Sequence, residues 1–339
     1  MIHTVTIKEF YSLPDPPLLA DVRTPAEFLN GHIPGACNLP LFSNEERVQV
    51  GTTYKQVGRE AAIMLGFDLT GNKWSGFIKQ ALEWASDKRI GLHCWRGGMR
   101  SGAMAWALDL YGFDVYLLQG GYKAYRQWVL QQFDRYYALM ILGGMTGSGK
   151  TSLLHELRNM GEQVIDLEAL AQHQGSAYGS LDRLVQPSQE QFENDLACQL
   201  NVLNTDKTIW VEDESNSIGK CFIPRLFWLQ MQQATLVDVQ VPIEQRVQNL
   251  LLEYGCLPQD FLVTSTERIR KRLGPEQTNH AIIAIRENQM EDFIKIVLVY
   301  YDKTYKNGLA KRDKQKVFVL PVDGKYPAGH AKQVLQMVK

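Results

Sequence analysis

Residues 137–160 constrain the fold most. Tyr137-Ala138-Leu139-Met140-Ile141-Leu142 is an apolar run of strand character. It enters the turn Gly143-Gly144-Met145-Thr146-Gly147-Ser148-Gly149-Lys150-Thr151 and then a helical stretch, Ser152 to Met160. Gly144-x4-Gly149-Lys150-Thr151 fits the P-loop pattern, with the strand before it and the helix after it that the pattern requires. Its glycines let backbone N–H groups close around a phosphate chain, Lys150 adds charge, and the Thr151 hydroxyl suits Mg²⁺. Gly144, Gly147, Ser148, Gly149, Lys150 and Thr151 are therefore the candidate phosphate-binding residues. A strand that feeds a helix in this way implies a parallel α/β sheet. Two more strands follow, Gln163–Asp166 and Thr208–Val211, and the second ends in Glu212-Asp213-Glu214. An acid at such a strand end positions Mg²⁺ or a water, which makes Glu212 and Asp213 the candidate Mg²⁺-linked acids.

The same grammar occurs earlier. Arg89-Ile90-Gly91-Leu92 leads into His93-Cys94-Trp95-Arg96-Gly97-Gly98-Met99-Arg100-Ser101, and a helix-like run, Ser101 to Leu108, follows. A glycine-rich turn at a helix N-terminus points its N–H groups inward and favours anions. That field also favours thiolate over thiol. Cys94 is the candidate nucleophile and Arg100 the forked donor that closes the loop on an oxyanion. Arg96, Gly97, Gly98, Met99 and Ser101 complete the anion cradle.

With 339 residues, the chain is long enough for two domains. The boundary is expected between 136 and 137. A net charge of −1 excludes a uniformly basic nucleic-acid binder but not a local basic face. Thr266 to Arg272 and Lys303 to Lys316 are the basic runs, read first as solvated helix faces. The five cysteines contain no Cys-x-x-Cys pair, which argues against a structural metal site and for a reducing compartment. No run approaches the roughly 18 apolar residues that span a bilayer. The expected setting is cytoplasmic, without a membrane. Oligomeric state is not legible, and a monomer is compatible with the sequence. Ile282 through Tyr301 keep helical spacing and read as one amphipathic helix packed on a core.

The first module alternates strands (Leu18–Arg23, the run into Cys94, Val115–Leu118) with helices (from Thr24-Pro25, Trp74–Ser86, Tyr122–Phe133). "LLADVRTPAEFLNGHIPGACNLP" (18–40) resembles the entry signature of rhodanese-like domains. "HCWRGGMRS" stands where that fold keeps its active cysteine, and "LLQGGYKAY" (117–125) resembles the segment that closes the loop. His32 then belongs to a structural turn. The loop departs from the usual sulfur-transfer loop: five residues separate Cys94 from Arg100, one more than usual. His-Cys-x5-Arg-Ser is also the signature of cysteine-dependent phosphatases of rhodanese-like fold. The wider loop suits a tetrahedral phosphate-like group. A phosphatase with an appended NTPase domain thus stands as the alternative reading.

The order of the two modules, together with "GTTYKQVGREAA" (51–62), "IDLEALAQHQGSAYG" (165–179), "QPSQEQFEN" (186–194) and "VEDESNSIG" (211–219), resembles the tRNA 2-selenouridine synthase family over nearly the whole chain. Gln174 stands where that family is expected to carry Arg. The resemblance implies a rhodanese-like parallel-sheet domain followed by a P-loop NTPase-like α/β domain with a helical C-terminal part. It implies a transferase that replaces the 2-thio sulfur of the wobble uridine (U34) in the tRNA anticodon with selenium from selenophosphate. The implied intermediate is S-geranyl-2-thiouridine, made from geranyl diphosphate. Cys94 thiolate would then either take up selenium as Cys–S–Se⁻ with phosphate leaving, or assist displacement at C2. Trp95 is the candidate to stack on the splayed base.

Overall fold

The computed structural model describes residues 1–173, 178 and 185–338. Gln174 lies outside the described residues. The chain forms two compact units, Met1–Gln132 with Glu193–Cys198, and Phe133–Phe192 with Gln199–Lys339. The division falls slightly before the expected 136/137 boundary, and the first unit takes in a segment from much later in the chain.

The first unit runs β1 (Ile2–Val5), α1 (Ile7–Tyr11), β2 (Leu19–Asp21), α2 (Pro25–Asn30), β3 (Cys37–Asn38), α3 (Asn44–Gln56), α4 (Arg59–Thr70), α5 (Trp74–Trp84), β4 (Arg89–His93), α6 (Met99–Leu110), β5 (Asp114–Leu118) and α7 (Gly121–Phe133). Its five strands are all parallel, in the order β1-β5-β4-β2-β3. The β2–β3 connection runs to one side of the sheet and the β4–β5 connection to the other. The carboxyl ends of β2 and β4 therefore flank a switch point, where open α/β sheets leave a crevice. The middle of β4, Ile90-Gly91-Leu92, is apolar because both faces of a parallel sheet are covered. Ile90 and Leu92 are fully buried with Ala20, Val22, Leu108 and Val115.

Local chemistry sets the helix starts. Thr24 and Glu27 form a capping box at α2, with Pro25 in the first turn. Ser43 and Glu46 form another at α3. Glu193–Cys198 lies within α10 (Gln189–Val202). There the Asn194 side-chain amide donates to the Tyr122 hydroxyl and to the His32 carbonyl, both at 2.8 Å.

The second unit contains β6 (Leu139–Gly144), α8 (Lys150–Asn159), β7 (Gln163–Ile165), α9 (Leu167–Ala171), β8 (Ile209–Glu212), the hairpin β9 (Ser217–Ile218) and β10 (Cys221–Phe222), α11 (Arg225–Gln233), β11 (Thr235–Gln240), α12 (Ile243–Tyr254), α13 (Gln259–Arg268), α14 (Arg270–Leu273), α15 (Pro275–Arg286), α16 (Met290–Leu309), β12 (Val317–Pro321) and α17 (Pro327–Met337). Its five-stranded sheet is parallel, in the order β12-β11-β6-β8-β7. This is the expected pair of α/β domains with a helical C-terminal part.

One helix differs from expectation. The stretch from Ile282 to Tyr301 is not a single helix but the end of α15 and the start of α16. The break falls at Asn288, whose φ is +59°. Asn tolerates the left-handed region better than most residues, because its short side chain bonds locally. The apolar spacing survives the break because both helices pack on one cluster: Ala281 and Ile285 from α15, Phe293, Ile294 and Val297 from α16, and Val247 and Leu250 from α12. Among the described residues no helix is long and apolar enough to cross a membrane.

Candidate active site

Cys94 follows β4 directly and is 3% exposed. The Gly98 N–H donates to its Sγ at 3.3 Å and the Ser101 hydroxyl at 3.2 Å. Burial pushes the thiol up. Hydrogen bonds from the Ser101 hydroxyl and from the backbone of Ser101, Arg96 and Gly98 outweigh it, so the pKa lies below the ordinary thiol value. The sulfur sits at the N-terminus of α6, where the helix field adds to the same preference for thiolate.

The loop is clamped from behind by the start of α7. The Tyr122 N–H bonds the Cys94 carbonyl at 2.8 Å and the Lys123 N–H the Trp95 carbonyl at 2.9 Å. Gly121 has φ +57°, and a Cβ there would lie 2.3 Å from the Cys94 carbonyl oxygen. Only glycine fits that approach.

Beneath the loop is a buried charged layer. Arg23 makes a forked ion pair with Asp21, its Nη2 also bonds the Gly31 carbonyl at 2.7 Å, and its guanidinium lies 3.7 Å from the Tyr122 ring centroid. His93 Nε2 is 3.7 Å from Asp21 Oδ2. Burial pulls the His93 pKa down to about 4, so at pH 7 the ring is neutral rather than an imidazolium acid. His32 bonds the Phe28 carbonyl at 3.0 Å and stacks on the Phe28 ring at 3.9 Å, which suits a structural turn.

Arg100 differs from expectation. Its fork engages the Glu27 carboxylate, Nη1 to Oε2 at 2.6 Å and Nη2 to Oε1 at 3.2 Å, rather than arching over the thiol. Burial raises the Glu27 carboxyl, but the Arg100 contacts dominate and hold it low. An anion over Cys94 must therefore compete with Glu27 for this guanidinium. Glu27→Gln keeps a side-chain oxygen to accept from the Thr24 N–H and removes the charge. We expect it to raise oxyanion affinity at the loop by roughly tenfold, the equivalent of about 1.4 kcal/mol. The check is protection of Cys94 from iodoacetamide by inorganic phosphate. Unchanged protection would mean that Arg100 does not bind the anion.

Arg96, Met99 and Trp95 are exposed beside the thiol. They join Cys94, Gly98 and Arg100 in the lining of a cavity of about 1120 Å³. The rest of that lining comes largely from α3 and α4, which the hydrophobic spacing of 44–70 does not announce. The sequence signal for α3 is the Ser43/Glu46 capping box.

The second unit forms the P-loop at the end of β6. Lys150 Nζ donates to the Gly144 carbonyl at 2.8 Å. Gly147 has φ +80°, and a Cβ there would lie 2.8 Å from the Arg246 carbonyl oxygen. From α12, Arg246 donates to the Thr146 carbonyl at 3.2 Å and Asn249 to that of Gly147 at 2.9 Å, while Arg246 is held by Asp302 through a forked pair. The loop is thus braced from outside. The Ser148 hydroxyl is buried without a hydrogen-bond partner among the described residues.

The two acids expected at the end of β8 are engaged elsewhere. Asp213 accepts from Arg312 Nη2 at 2.7 Å. Glu212 is buried, and its Oε1 accepts from the Glu168 N–H at 2.9 Å. Burial, then the charges of Asp166 and Glu214, push its pKa well above the usual carboxylate range. In this arrangement the Asp213 carboxylate is taken up by an arginine and Glu212 Oε1 by a backbone N–H. The acid that meets Thr151 is Glu168, at 3.3 Å from the hydroxyl. Burial and then the neighbouring Glu168 raise Glu214 to about 8. Glu253 is raised by burial and then by Glu168. Glu168 could be found in the sequence only as the second residue beyond the strand-ending Asp166.

Among the described residues no group of three His, Cys, Asp or Glu side chains is arranged to hold a metal. Thr151 and Glu168 nonetheless supply the hard oxygens that Mg²⁺ uses when waters and substrate phosphates complete its shell. Glu168 stands beside the Thr151 hydroxyl, so a phosphate ligand here fits better with a cation than without one.

Comparisons with known proteins match both parts of the chain. A family model described as the tRNA 2-selenouridine synthase AAA domain matches residues 137–323, and the rhodanese-like domain model matches 6–127. The tRNA 2-selenouridine synthase of Psychromonas ingrahamii is 38% identical over 327 residues, 87% of this chain and 88% of its own length. That of Shewanella denitrificans is 37% identical over 341 residues, 88% of this chain and 90% of its own. That of Nitrosomonas europaea is 40% identical over 280 residues, 77% of this chain and 68% of its own. A thiolate cradle in a rhodanese-like unit and a P-loop in the unit after it, aligned with these relatives across most of their length, place the chain in the tRNA 2-selenouridine synthase family.

Proposed function

We propose that the chain modifies tRNA, converting 2-thiouridine at the wobble position to 2-selenouridine in two stages. The observation that carries this reading is Cys94: a buried thiol held toward thiolate at the floor of a loop built for an anion, in a chain that also carries a P-loop.

In the first stage the P-loop unit handles geranyl diphosphate. The thiouridine sulfur attacks C1 of the geranyl group, the C1–O bond breaks, diphosphate leaves with the electron pair, and the N3 proton of the base passes to solvent. Lys150 and the N–H groups of the loop hold the charge that develops on it. Mg²⁺ on the Thr151 and Glu168 oxygens would add Lewis-acid stabilisation of that leaving group.

In the second stage the sulfur is exchanged for selenium. Capture of selenium on Cys94 as Cys–S–Se⁻ fails an electron count. Attack at selenium expels phosphorus with the bonding pair, as phosphite rather than phosphate. The route through the base balances. Cys94 thiolate attacks C2, the C2–S bond breaks, and geranylthiolate leaves with a proton from solvent. The selenium of selenophosphate then attacks C2 and expels Cys94 thiolate. Water cleaves the Se–P bond, releasing phosphate and 2-selenouridine. Alkylation makes the sulfur a better leaving group than the sulfur of a thiocarbonyl. Gly98, Ser101 and Arg96 stabilise the thiolate as nucleophile and again as leaving group. Trp95, exposed beside the thiol, suits stacking on the extruded base.

The test is nucleoside mass spectrometry of tRNA carrying 2-thiouridine, incubated with the protein, selenophosphate, geranyl diphosphate and Mg²⁺. The expected product is 2-selenouridine, with released phosphate and geranylthiol in equal amounts. No mass change in the tRNA, with hydrolysis of simple aryl phosphates instead, would establish the phosphatase chemistry that a His-Cys-x5-Arg loop also suits.

A further inference from the structure

The cavity over Cys94 is far larger than its anion needs. A tetrahedral oxyanion displaces about as much volume as a few water molecules, each about 30 Å³. The cavity measures about 1120 Å³. Its far wall is apolar: Leu41, Phe42, Val48, Ile63, Phe67 and Trp74 line it. Two of these are left in solvent, Val48 at 67% exposure and Phe67 at 57%. The helices that carry them have little core of their own. α3 buries no residue and α4 only Ala62 and Thr70. Small residues, Gly51, Ala62, Gly66, Gly102 and Ala103, keep the space open between α3, α4 and α6. Four cations, Arg47, Lys55, Arg96 and Arg100, share the lining. A ligand that satisfies such a wall is anionic in one part and an extended hydrocarbon in another. A mineral oxyanion alone leaves the apolar wall wet.

We infer that this cleft binds the hydrocarbon chain carried on the substrate's sulfur, laying it along α3 and α4 while the base presents C2 to Cys94. The inference rests on the two-stage reading above and assigns its alkylated intermediate a specific seat. Two compounds share the chemistry, the S-alkylated nucleotide and the allylic diphosphate. The cleft belongs to the first, because only there is the chain joined, through sulfur, to the carbon that Cys94 must reach. The chain is then a recognition handle as well as a leaving group, and it favours alkylated over unalkylated RNA.

The experiment uses the full chain and anticodon stem-loop RNAs that carry S-geranyl-2-thiouridine or S-methyl-2-thiouridine. Binding is read by fluorescence anisotropy. Wild type should bind the geranyl RNA at least tenfold more tightly than the methyl RNA. Gly102→Leu fills the cleft from α6. A Cβ at that position meets no heavy atom within 4 Å, and leucine suits a helix better than glycine, so the fold should persist. Phe67→Asp changes an exposed side chain on the opposite wall. Both variants should reduce the preference to within twofold and leave the methyl RNA's affinity unchanged. Equal affinities in wild type, or a preference that survives both variants, would overturn the assignment. So would geranyl diphosphate displacing the geranyl RNA from this cleft with an affinity that Gly102→Leu weakens in step. Selenation of the geranyl RNA, followed by mass spectrometry, separates the two ideas. Turnover without a binding preference removes the cleft but keeps the two stages. A binding preference without turnover removes the two stages but keeps the cleft.

Discussion

Cys94→Ser should abolish selenium incorporation, by on the order of a thousandfold or more, the scale of losing a covalent nucleophile, while geranylation of the same tRNA continues. Serine nearly preserves the shape of the side chain and can still accept from Gly98 and Ser101. It does not ionise near neutral pH, so those donors have no thiolate to stabilise. Starting from 2-thiouridine, the variant should therefore accumulate the S-geranyl nucleoside, which wild type consumes. In wild type, alkylation of Cys94 by iodoacetamide should titrate with a midpoint below that of an ordinary thiol, as the net effect of the Ser101, Arg96 and Gly98 hydrogen bonds over burial dictates. A serine variant that still makes 2-selenouridine at wild-type rates would remove Cys94 from the chemistry. The loop would then be an anion-binding site and nothing more.

Lys150→Ala should do the reverse. Geranylation should fall by roughly a hundredfold to a thousandfold, the scale of removing one strong charge donor from a developing anion. Selenation of a tRNA that already carries the geranyl group should proceed unchanged. The fold should hold, because the lysine's contact seen here is one bond from Nζ to the Gly144 carbonyl, and α12 braces the loop independently through Arg246 and Asn249. Mass spectrometry of both reactions on one preparation decides it. Equal loss of both stages would mean that the P-loop serves the whole cycle, as a nucleotide-driven switch would, and would sink the assignment to the allylic diphosphate. Retention of both would mean that diphosphate leaves without help from Lys150.

The two anion loops were legible because each is a local event. A strand, a glycine-rich turn and a helix N-terminus lie within twenty residues, and their order dictates where the N–H groups point. What they pair with was not legible, because those partners come from far along the chain. Glu27 meets Arg100 across 73 residues, and Asp213 meets Arg312 across 99. An acid in a strand-end triplet looks like a metal ligand until its arginine is placed. Glu168 was hidden for the opposite reason: it sits within a short helix whose sequence reads as ordinary. The cleft could not be read from periodicity at all. α3 and α4 do not bury a regular apolar stripe, and a wall that faces an open cavity keeps its large side chains exposed. The break at Asn288 left the hydrophobic spacing nearly intact, so a helix and a half read as one.

Asn194 bonds the Tyr122 hydroxyl and the His32 carbonyl, and Arg126 pairs with Glu193. On the ribosome this fixes a schedule. The unit that holds the nucleophile begins at Met1, yet it lacks these partners until Cys198 has been made. At about 5–20 residues per second that delay lasts several seconds or longer. Throughout it, α7 has yet to meet Asn194 and Glu193. A chain truncated after α7 would never gain the contacts that Asn194 and Glu193 bring.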